Sequence, residues 1–303
     1  MDTVILLVQQ IIIMFIMAGI GFLLFRAGKI TLEGSKTIGN ILIYIVLPAV
    51  IIKGFMLERT PEMLKGLLIS TVLAAAALGI SILISRLMFK KDGVASFASS
   101  FSNPGFFGIP LIISILGNDS VFYIAPYIGF LNLLQFTYGK VLLTGDPKSM
   151  NAKQVLTAPF LIAIVIGLFF FFTQLPLPGI VTRALEITTE LNTPLAMFTV
   201  GVYLAQTNIP AMLSKKVLYK ISFSRMLLVP LVVILLLKFI PGSWHACKLA
   251  VLIAAACPVG SNVAVYAQLF DKDYRYAVET VVISTILSII TVPVIVFIAE
   301  HFW

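Results

Sequence analysis

Two short segments interrupt long apolar runs with proline, glycine and small polar side chains. The first reads Ser-Asn-Pro-Gly-Phe-Phe-Gly-Ile-Pro over residues 102–110, and the second reads Cys-Pro-Val-Gly-Ser-Asn over residues 257–262. Proline has no backbone N–H and glycine weakens a helix, so helical hydrogen bonding fails at both places. Unpaired backbone groups at membrane depth are tolerated only where protein or a water-filled cavity satisfies them. The pattern predicts two broken helices around one polar site, whose helix N-termini favour an anion.

The candidate binding residues at the two breaks supply amides, hydroxyls and backbone groups that are free to bind a ligand. They are Ser102, Asn103, Pro104, Gly105, Pro258, Gly260, Ser261 and Asn262. Three further polar residues are candidates for the lining of the same site. Asn132 and Gln135 stand three residues apart on one predicted helix and therefore share a face, while Tyr266 follows Asn262 by one turn. Packing between helices explains these three positions equally well, so both interpretations stay open.

Two charged residues fall inside or close to apolar runs. Glu190, four residues before Pro194, is a candidate for proton coupling, because ionisable groups at membrane depth usually have a function. A carboxylate at the membrane surface is the alternative interpretation. Lys53, five residues after Pro48, either attracts a substrate carboxylate or extends its amine to the membrane surface.

Residues that would support other chemistry are scarce. The two cysteines, Cys247 and Cys257, and the two histidines, His245 and His301, are too few for a disulfide framework or a histidine-based metal centre. The sequence contains no His-Glu-x-x-His helix, serine elbow or phosphate-binding loop. We therefore predict a protein that is not an enzyme and that needs neither a metal nor a cofactor.

The elements that must position these residues are membrane spans. Of the 303 residues, 60% are hydrophobic and 11% are charged, and the mean hydropathy is +1.07. Soluble domains carry roughly 25% charged residues, so a soluble enzyme is excluded. Apolar runs of about 20 residues predict an all-α membrane protein with ten transmembrane helices. The predicted spans are 4–25, 37–57, 64–88, 94–116, 121–143, 154–173, 180–205, 214–239, 246–268 and 275–299.

The basic residues indicate the orientation of these spans. With the N-terminus outside, the odd-numbered connections and their flanks hold 15 lysines and arginines, and the opposite side holds 6. The positive-inside rule then places both termini outside. The net charge of +8 is explained as a topology signal, so the expected partner is a lipid bilayer and no nucleic acid is needed.

Proline placement repeats after five spans. Pro48 and Pro194 lie in spans two and seven, and the two breaks lie in spans four and nine. Because five is an odd number, the two halves must have opposite orientation, which is typical of transporters with inverted repeats. The predicted domains are a first repeat at 1–143, a cytoplasmic linker at 144–153 and a second repeat at 154–303.

The whole chain resembles the auxin efflux carrier family, which includes bacterial malate and malonate permeases and plant auxin carriers. The resemblance rests on the run at 103–110, the span-five asparagine, the segment from Asn192 to Ala205 and the second break at 257–262. It implies a five-plus-five inverted repeat like that of bile acid sodium symporters, with spans four and nine crossing beside the substrate. Spans one, two, six and seven would form a scaffold that mediates homodimers. The family's site residues fall on Asn103, Pro104, Gly105, Pro258, Ser261 and Asn262.

The chain departs from the plant members in three places. Gly105 rather than asparagine follows Pro104, Cys257 rather than asparagine precedes Pro258, and only about ten residues separate spans five and six. The resemblance therefore favours a bacterial-type carrier. Its expected location is the plasma membrane, which in bacteria with two membranes is the inner one. We expect a secondary transporter that moves small organic anions (mono- or dicarboxylates or auxin-like acids) by alternating access. A sodium-coupled symporter and a channel are the alternatives, and uniport, proton coupling and sodium coupling all stay open.

Overall fold

The computed structural model describes residues 2–149 and 156–303. Within these ranges every regular element is helical, and the backbone pairs in β fashion only at one antiparallel bridge, between Ser102 and Val259. The helices are α1 (Asp2–Arg26), α2 (Leu32–Phe55), α3 (Pro61–Met88), α4 (Gly93–Ser100), α5 (Pro104–Leu116), α6 (Asn118–Thr144), α7 (Pro159–Thr173), α8 (Gly179–Glu190), α9 (Asn192–Gln206), α10 (Ile209–Leu213), α11 (Lys216–Leu237), α12 (Gly242–Ala256), α13 (Asn262–Leu269) and α14 (Tyr274–Phe302).

Six of the described helices are long and apolar enough to cross a membrane. These are α1, α2, α3, α6, α11 and α14, and they coincide with predicted spans one, two, three, five, eight and ten. The helix α7 covers most of predicted span six, whose first two residues lie outside the described ranges. In the predicted linker, Gly145 ends α6 with a left-handed φ of 75°, and residues 150–153 are outside the described part of the chain.

Predicted spans four, seven and nine each coincide with two consecutive helices. Two of these interruptions are the predicted breaks, between α4 and α5 and between α12 and α13. The third separates α8 from α9 at Leu191, although the sequence predicted one span over 180–205. Pro194 consequently lies in the first turn of α9 instead of in the middle of a span. A missing N–H costs little in a first turn, because those donors have no partner within the helix.

Prolines also widen the backbone inside three of the spans. Because proline cannot donate a helical hydrogen bond and its ring crowds the preceding turn, the helix takes up one extra residue there. The resulting π-helical turns are Leu42–Val46 ahead of Pro48, Pro104–Gly108 ahead of Pro110, and Ser224–Leu228 ahead of Pro230. The second and third of these turns adjoin the place where the two broken helices meet, which is described below.

Aspartates fix the starts of two helices next to the broken spans. The Asp92 carboxylate accepts the Ala95 N–H at 2.9 Å and so begins α4, and Asp273 does the same for the Tyr276 N–H at 2.8 Å and begins α14. Such caps satisfy backbone donors that have no partner within the helix. The Tyr276 hydroxyl donates to the other oxygen of Asp92 at 3.1 Å, which joins the two helix starts.

Two helix pairs pack along their lengths, α1 on α9 and α7 on the second half of α2. The first pair needs glycine at the contact. A Cβ at Gly21 would lie 2.5 Å from the Phe198 carbonyl oxygen, and a Cβ at Gly201 would overlap the Ala18 carbonyl. Small residues of this kind allow helix backbones to approach closely in membranes, where packing replaces the hydrophobic effect as the driving force.

Candidate functional site

The two broken segments lie against each other near the centre of the molecule. The Asn103 N–H donates to the Pro258 carbonyl at 3.0 Å, and the Gly260 N–H donates to the Phe101 carbonyl at 3.0 Å. These two bonds satisfy backbone groups that the breaks remove from the helices. The contact is tight, since a Cβ at Gly260 would lie 2.7 Å from the Ser102 carbonyl oxygen. We call residues 101–103 and 257–261, which meet here, the crossing.

Four helix ends converge on the crossing. Helices α4 and α12 bring their C-termini, at Ser100 and Ala256, and helices α5 and α13 bring their N-termini, at Pro104 and Asn262. A helix N-terminus carries roughly half a positive charge and a C-terminus roughly half a negative charge. The Asn103 side chain caps α5 by accepting the Phe106 N–H at 3.4 Å. The crossing therefore has a positive side and a negative side, although it contains no ionised side chain of its own.

A cavity of about 320 Å³ opens on the positive side of the crossing, and we call it the main cavity. Its volume is in the range typical of small-molecule sites. Most of the predicted binding residues line it, and these are Ser102, Asn103, Pro104, Gly105, Asn132, Gly260, Ser261, Asn262 and Tyr266. Helices α2 and α7 complete the wall with residues that the sequence did not suggest, among them Asn40, Tyr44 and Phe160.

Two predicted binding residues lie behind the cavity wall. Pro258 is buried in the crossing, where its carbonyl accepts the bond from Asn103. Gln135 is fully buried, and its Oε1 accepts a hydrogen bond from Asn262 Nδ2 at 2.7 Å. Gln135 therefore orients a lining side chain and is itself outside the lining. Asn132 lines the cavity while its Nδ2 donates to the Ile128 carbonyl of its own helix at 2.8 Å.

Aromatic rings form another part of the cavity wall. The Phe136 ring meets the Tyr266 ring edge-on at 5.7 Å between centroids and stacks on the Phe160 ring at 6.2 Å. Among the residues that the structure describes, no lysine, arginine, aspartate or glutamate lines the main cavity. Any anion bound there would be stabilised by helix dipoles, backbone N–H groups and neutral amides, which is the usual arrangement at helix N-termini.

A second cavity, of about 240 Å³, lies between α5, the end of α8, the start of α9 and the start of α6 at Asn118. Its polar lining includes Glu190, which is exposed, and the neighbouring Asn192, which is only 3% exposed. The Asn192 Nδ2 donates to the Gly105 carbonyl at 3.1 Å. Since Gly105 lines the main cavity and Asn192 lines the second one, this hydrogen bond spans the wall between them.

Three residues gain a different interpretation from the structure. Lys53 pairs with Glu186 at 2.9 Å and lies outside the lining of the main cavity, so it is part of the contact between α2 and α8. Asn192 was visible in the sequence only as part of a family-like segment. Arg225 was one of the 15 basic residues counted in the odd-numbered connections and their flanks, and its side chain is fully buried inside α11. Its position inside predicted span 214–239 was the signal, since intramembrane charges usually have a function.

Comparisons with known proteins agree with a transport role. A family model described as membrane transport protein matches residues 6–155 and 148–296. A protein of Rhizobium meliloti (strain 1021) that carries the name "Putative malonate transporter" is 24% identical in an alignment of 282 residues, which covers 86% of this chain and 85% of that protein. An uncharacterized transporter of Methanocaldococcus jannaschii is 24% identical in an alignment of 298 residues, which covers 93% of this chain and 95% of that protein.

The family model covers nearly the whole chain in its two segments. Together with the six long apolar helices, this match makes the protein a multi-pass membrane protein that serves in transport. The chain belongs to the membrane transport protein family, which is the auxin efflux carrier family that its broken spans resemble.

Proposed function

We propose that the protein is a secondary transporter of small organic anions and binds its substrate in the main cavity, against the N-terminal ends of α5 and α13. The observation that carries the proposal is the convergence of two positive helix ends and neutral amides on one cavity of about 320 Å³. Two partial charges of roughly +0.5 each together offset the single negative charge of one carboxylate. Discontinuous helices form substrate sites in this way in several transporter folds.

The proposed substrates are mono- and dicarboxylates. The polar floor, formed by the crossing, would hold a carboxylate, and the aromatic wall of Phe136, Phe160 and Tyr266 would contact the rest of the molecule. The name of the Rhizobium meliloti relative supports malonate as the first compound to test. An auxin-like acid would use the same carboxylate position and would place its ring against the aromatic wall.

The proposed architecture is a five-plus-five inverted repeat of ten spans, with repeats at 1–143 and 154–303. Helix packing supports it, because α1 (span one) packs on α9 (span seven) just as α7 (span six) packs on α2 (span two). These four spans would form the scaffold and the homodimer contact. The charge bias favours a location of both termini outside the plasma membrane.

The proposed cycle is alternating access around the crossing. In the proposed orientation the main cavity faces the cytoplasm, and the second cavity marks the closed outer path. The hydrogen bond from Asn192 to Gly105 would join the scaffold helix α9 to the crossing in this state. Rocking of the crossing against the scaffold would break that bond and would open the path through the second cavity.

Alanine substitutions at Asn103 and Asn262 test the site. We expect both variants to lose uptake of malonate into proteoliposomes, since each removes an amide from the cavity. The matched control is Asn208→Ala, because Asn208 caps α10 outside both cavities. Normal uptake by well-folded Asn103→Ala and Asn262→Ala proteins would contradict the site. Single-channel currents in a planar bilayer would instead favour a channel.

Purified protein can identify the substrate by thermal shift. Organic acids would be compared at two pH values, each with and without sodium. A ligand of the main cavity should stabilise the wild type, because it binds only the folded state, and should have no effect on the Asn262→Ala variant. A stabilising acid that raises the melting temperature of both proteins equally would bind elsewhere and would contradict the proposal.

A further inference from the structure

A single guanidinium group lies buried on the negative side of the crossing. Arg225, in α11, is fully buried. Its Nη1 donates to the Ser81 hydroxyl at 2.6 Å and to the Ser100 carbonyl at 3.0 Å, and its Nη2 donates to the Ala255 carbonyl. One side chain from a third helix therefore binds the last turns of both α4 and α12, the two half-helices that end at the crossing.

The charge of Arg225 has no carboxylate partner among the described residues. The acids that form ion pairs, Glu186 and Glu279, bind other basic side chains. An unpaired buried charge is strongly destabilising, so something else must offset it. The C-termini of α4 and α12 do so, because two helix ends of roughly −0.5 each together match one guanidinium.

The crossing therefore separates two electrostatic sites. The N-termini of α5 and α13 face the main cavity, and the C-termini of α4 and α12 face Arg225. Convergent carbonyl oxygens are also good ligands for a hard metal cation, which could bind where the guanidinium group lies. In this chain the guanidinium occupies that position permanently.

We propose that Arg225 is a built-in counter-cation that locks α4 and α12 together, so that the crossing forms and the anion binds without sodium. Arg225 is a positioning residue, because it acts on the substrate only through the half-helices that it holds. The part of this inference that concerns the anion rests on the proposed function. The part that concerns the fixed cation does not, and it can be measured on the protein without any substrate.

Chemical rescue distinguishes a counter-cation from ordinary packing. Arg225→Ala removes the guanidinium and leaves the carbonyl groups facing an empty space. We expect a lowered melting temperature and an uptake reduced by about tenfold or more, since the C-terminal carbonyl groups of α4 and α12 lose the cation that offsets their partial charges. Low-millimolar guanidinium chloride, far below denaturing concentrations, should restore much of both. Arg225→Met, which fills the space with an apolar chain, should not respond to guanidinium, and neither should Arg183→Ala, because Arg183 is exposed.

Sodium dependence of the wild type gives the second measurement. The melting temperature and the anion affinity should be equal in sodium, potassium and choline chloride of the same ionic strength. A specific sodium requirement for either would overturn the proposal, as would Arg225→Ala protein that is folded and active without guanidinium. If Arg225→Ala fails to fold, Arg225→Lys, which keeps the charge, should fold and retain part of the uptake. Failure of Arg225→Lys to fold would also overturn the proposal. Loss of anion binding alongside intact guanidinium rescue would refute only the proposed function.

Discussion

Gly260 provides the sharpest test of the crossing, because a side chain at this position would collide with the Ser102 carbonyl oxygen of the other segment. The residue has no positive φ, so alanine is allowed by the backbone, and only the new methyl group matters. That group would lie 2.7 Å from the Ser102 carbonyl oxygen, whereas ordinary contacts begin at 3.4 Å. The two segments must therefore separate by about 0.7 Å, which stretches both 3.0 Å hydrogen bonds of the crossing beyond a bonding distance.

The expected cost follows from the two lost bonds. Each contributes about 0.5–1.5 kcal/mol, so Gly260→Ala should lower the free energy of unfolding by about 2 kcal/mol. For 303 residues, with an unfolding entropy of about 2.1 cal/mol/K per residue, this corresponds to a decrease in melting temperature of about 3 °C. Uptake should fall by about tenfold or more, because helix N-termini that are shifted by a fraction of an ångström no longer fit the anion.

The assay compares thermal unfolding and malonate uptake of Gly260→Ala with those of Gly105→Ala. The Gly105 methyl group would meet only the tip of the Leu47 side chain, at 3.2 Å, and that tip can move. Gly105→Ala should therefore leave the melting temperature unchanged or slightly raised, since alanine is the better helix former. Equal melting temperatures for wild type and Gly260→Ala, with normal uptake, would show that the two breaks do not meet as described.

Two further variants examine the scaffold and the second cavity. Gly201→Leu should reduce stability and uptake strongly, because any side chain there overlaps the Ala18 carbonyl. Gly19→Leu is the control and should be tolerated, since nothing lies within 4 Å of its Cβ. Similar melting temperatures of the two variants would argue against the close contact of α1 and α9. Glu190→Gln should fold normally and should flatten the dependence of uptake on pH, because it removes the carboxylate of the second cavity. An unchanged pH profile in proteoliposomes would exclude Glu190 from proton coupling.

The sequence predicted most of the helices and both breaks for simple reasons. Long apolar runs specify membrane helices, and Pro104 and Pro258, with their neighbouring glycines, cannot continue one. The interruption at Leu191 was not predicted, because it involves no glycine, and Pro194 looked like a mid-span kink. Only the packing of α8 on α2, with its ion pair to Lys53, shows that the chain turns there.

Contacts between distant elements were beyond the reach of the sequence. Asn262 and Gln135 were both candidates, yet their hydrogen bond, which joins α13 to α6, depends on how the helices pack. Arg225 was counted with the flanks of the connections, because charge counting treats every basic residue as solvated. Its burial is explained by the carbonyl groups of α4 and α12, and their convergence exists only in the folded chain.

The absence of charged side chains from the lining of the main cavity, within the described residues, has an electrical consequence. No acidic or basic side chain of this lining can carry a proton across with the anion, so in the proposed cycle an anion that travels alone moves its full charge across the membrane. A potential of 100 mV, negative inside, changes the energy of each transported charge by about 2.3 kcal/mol, or about 40- to 50-fold in concentration. In the proposed cycle the membrane voltage alone would thus drive a dicarboxylate outward, and uptake would require its protons to travel with it.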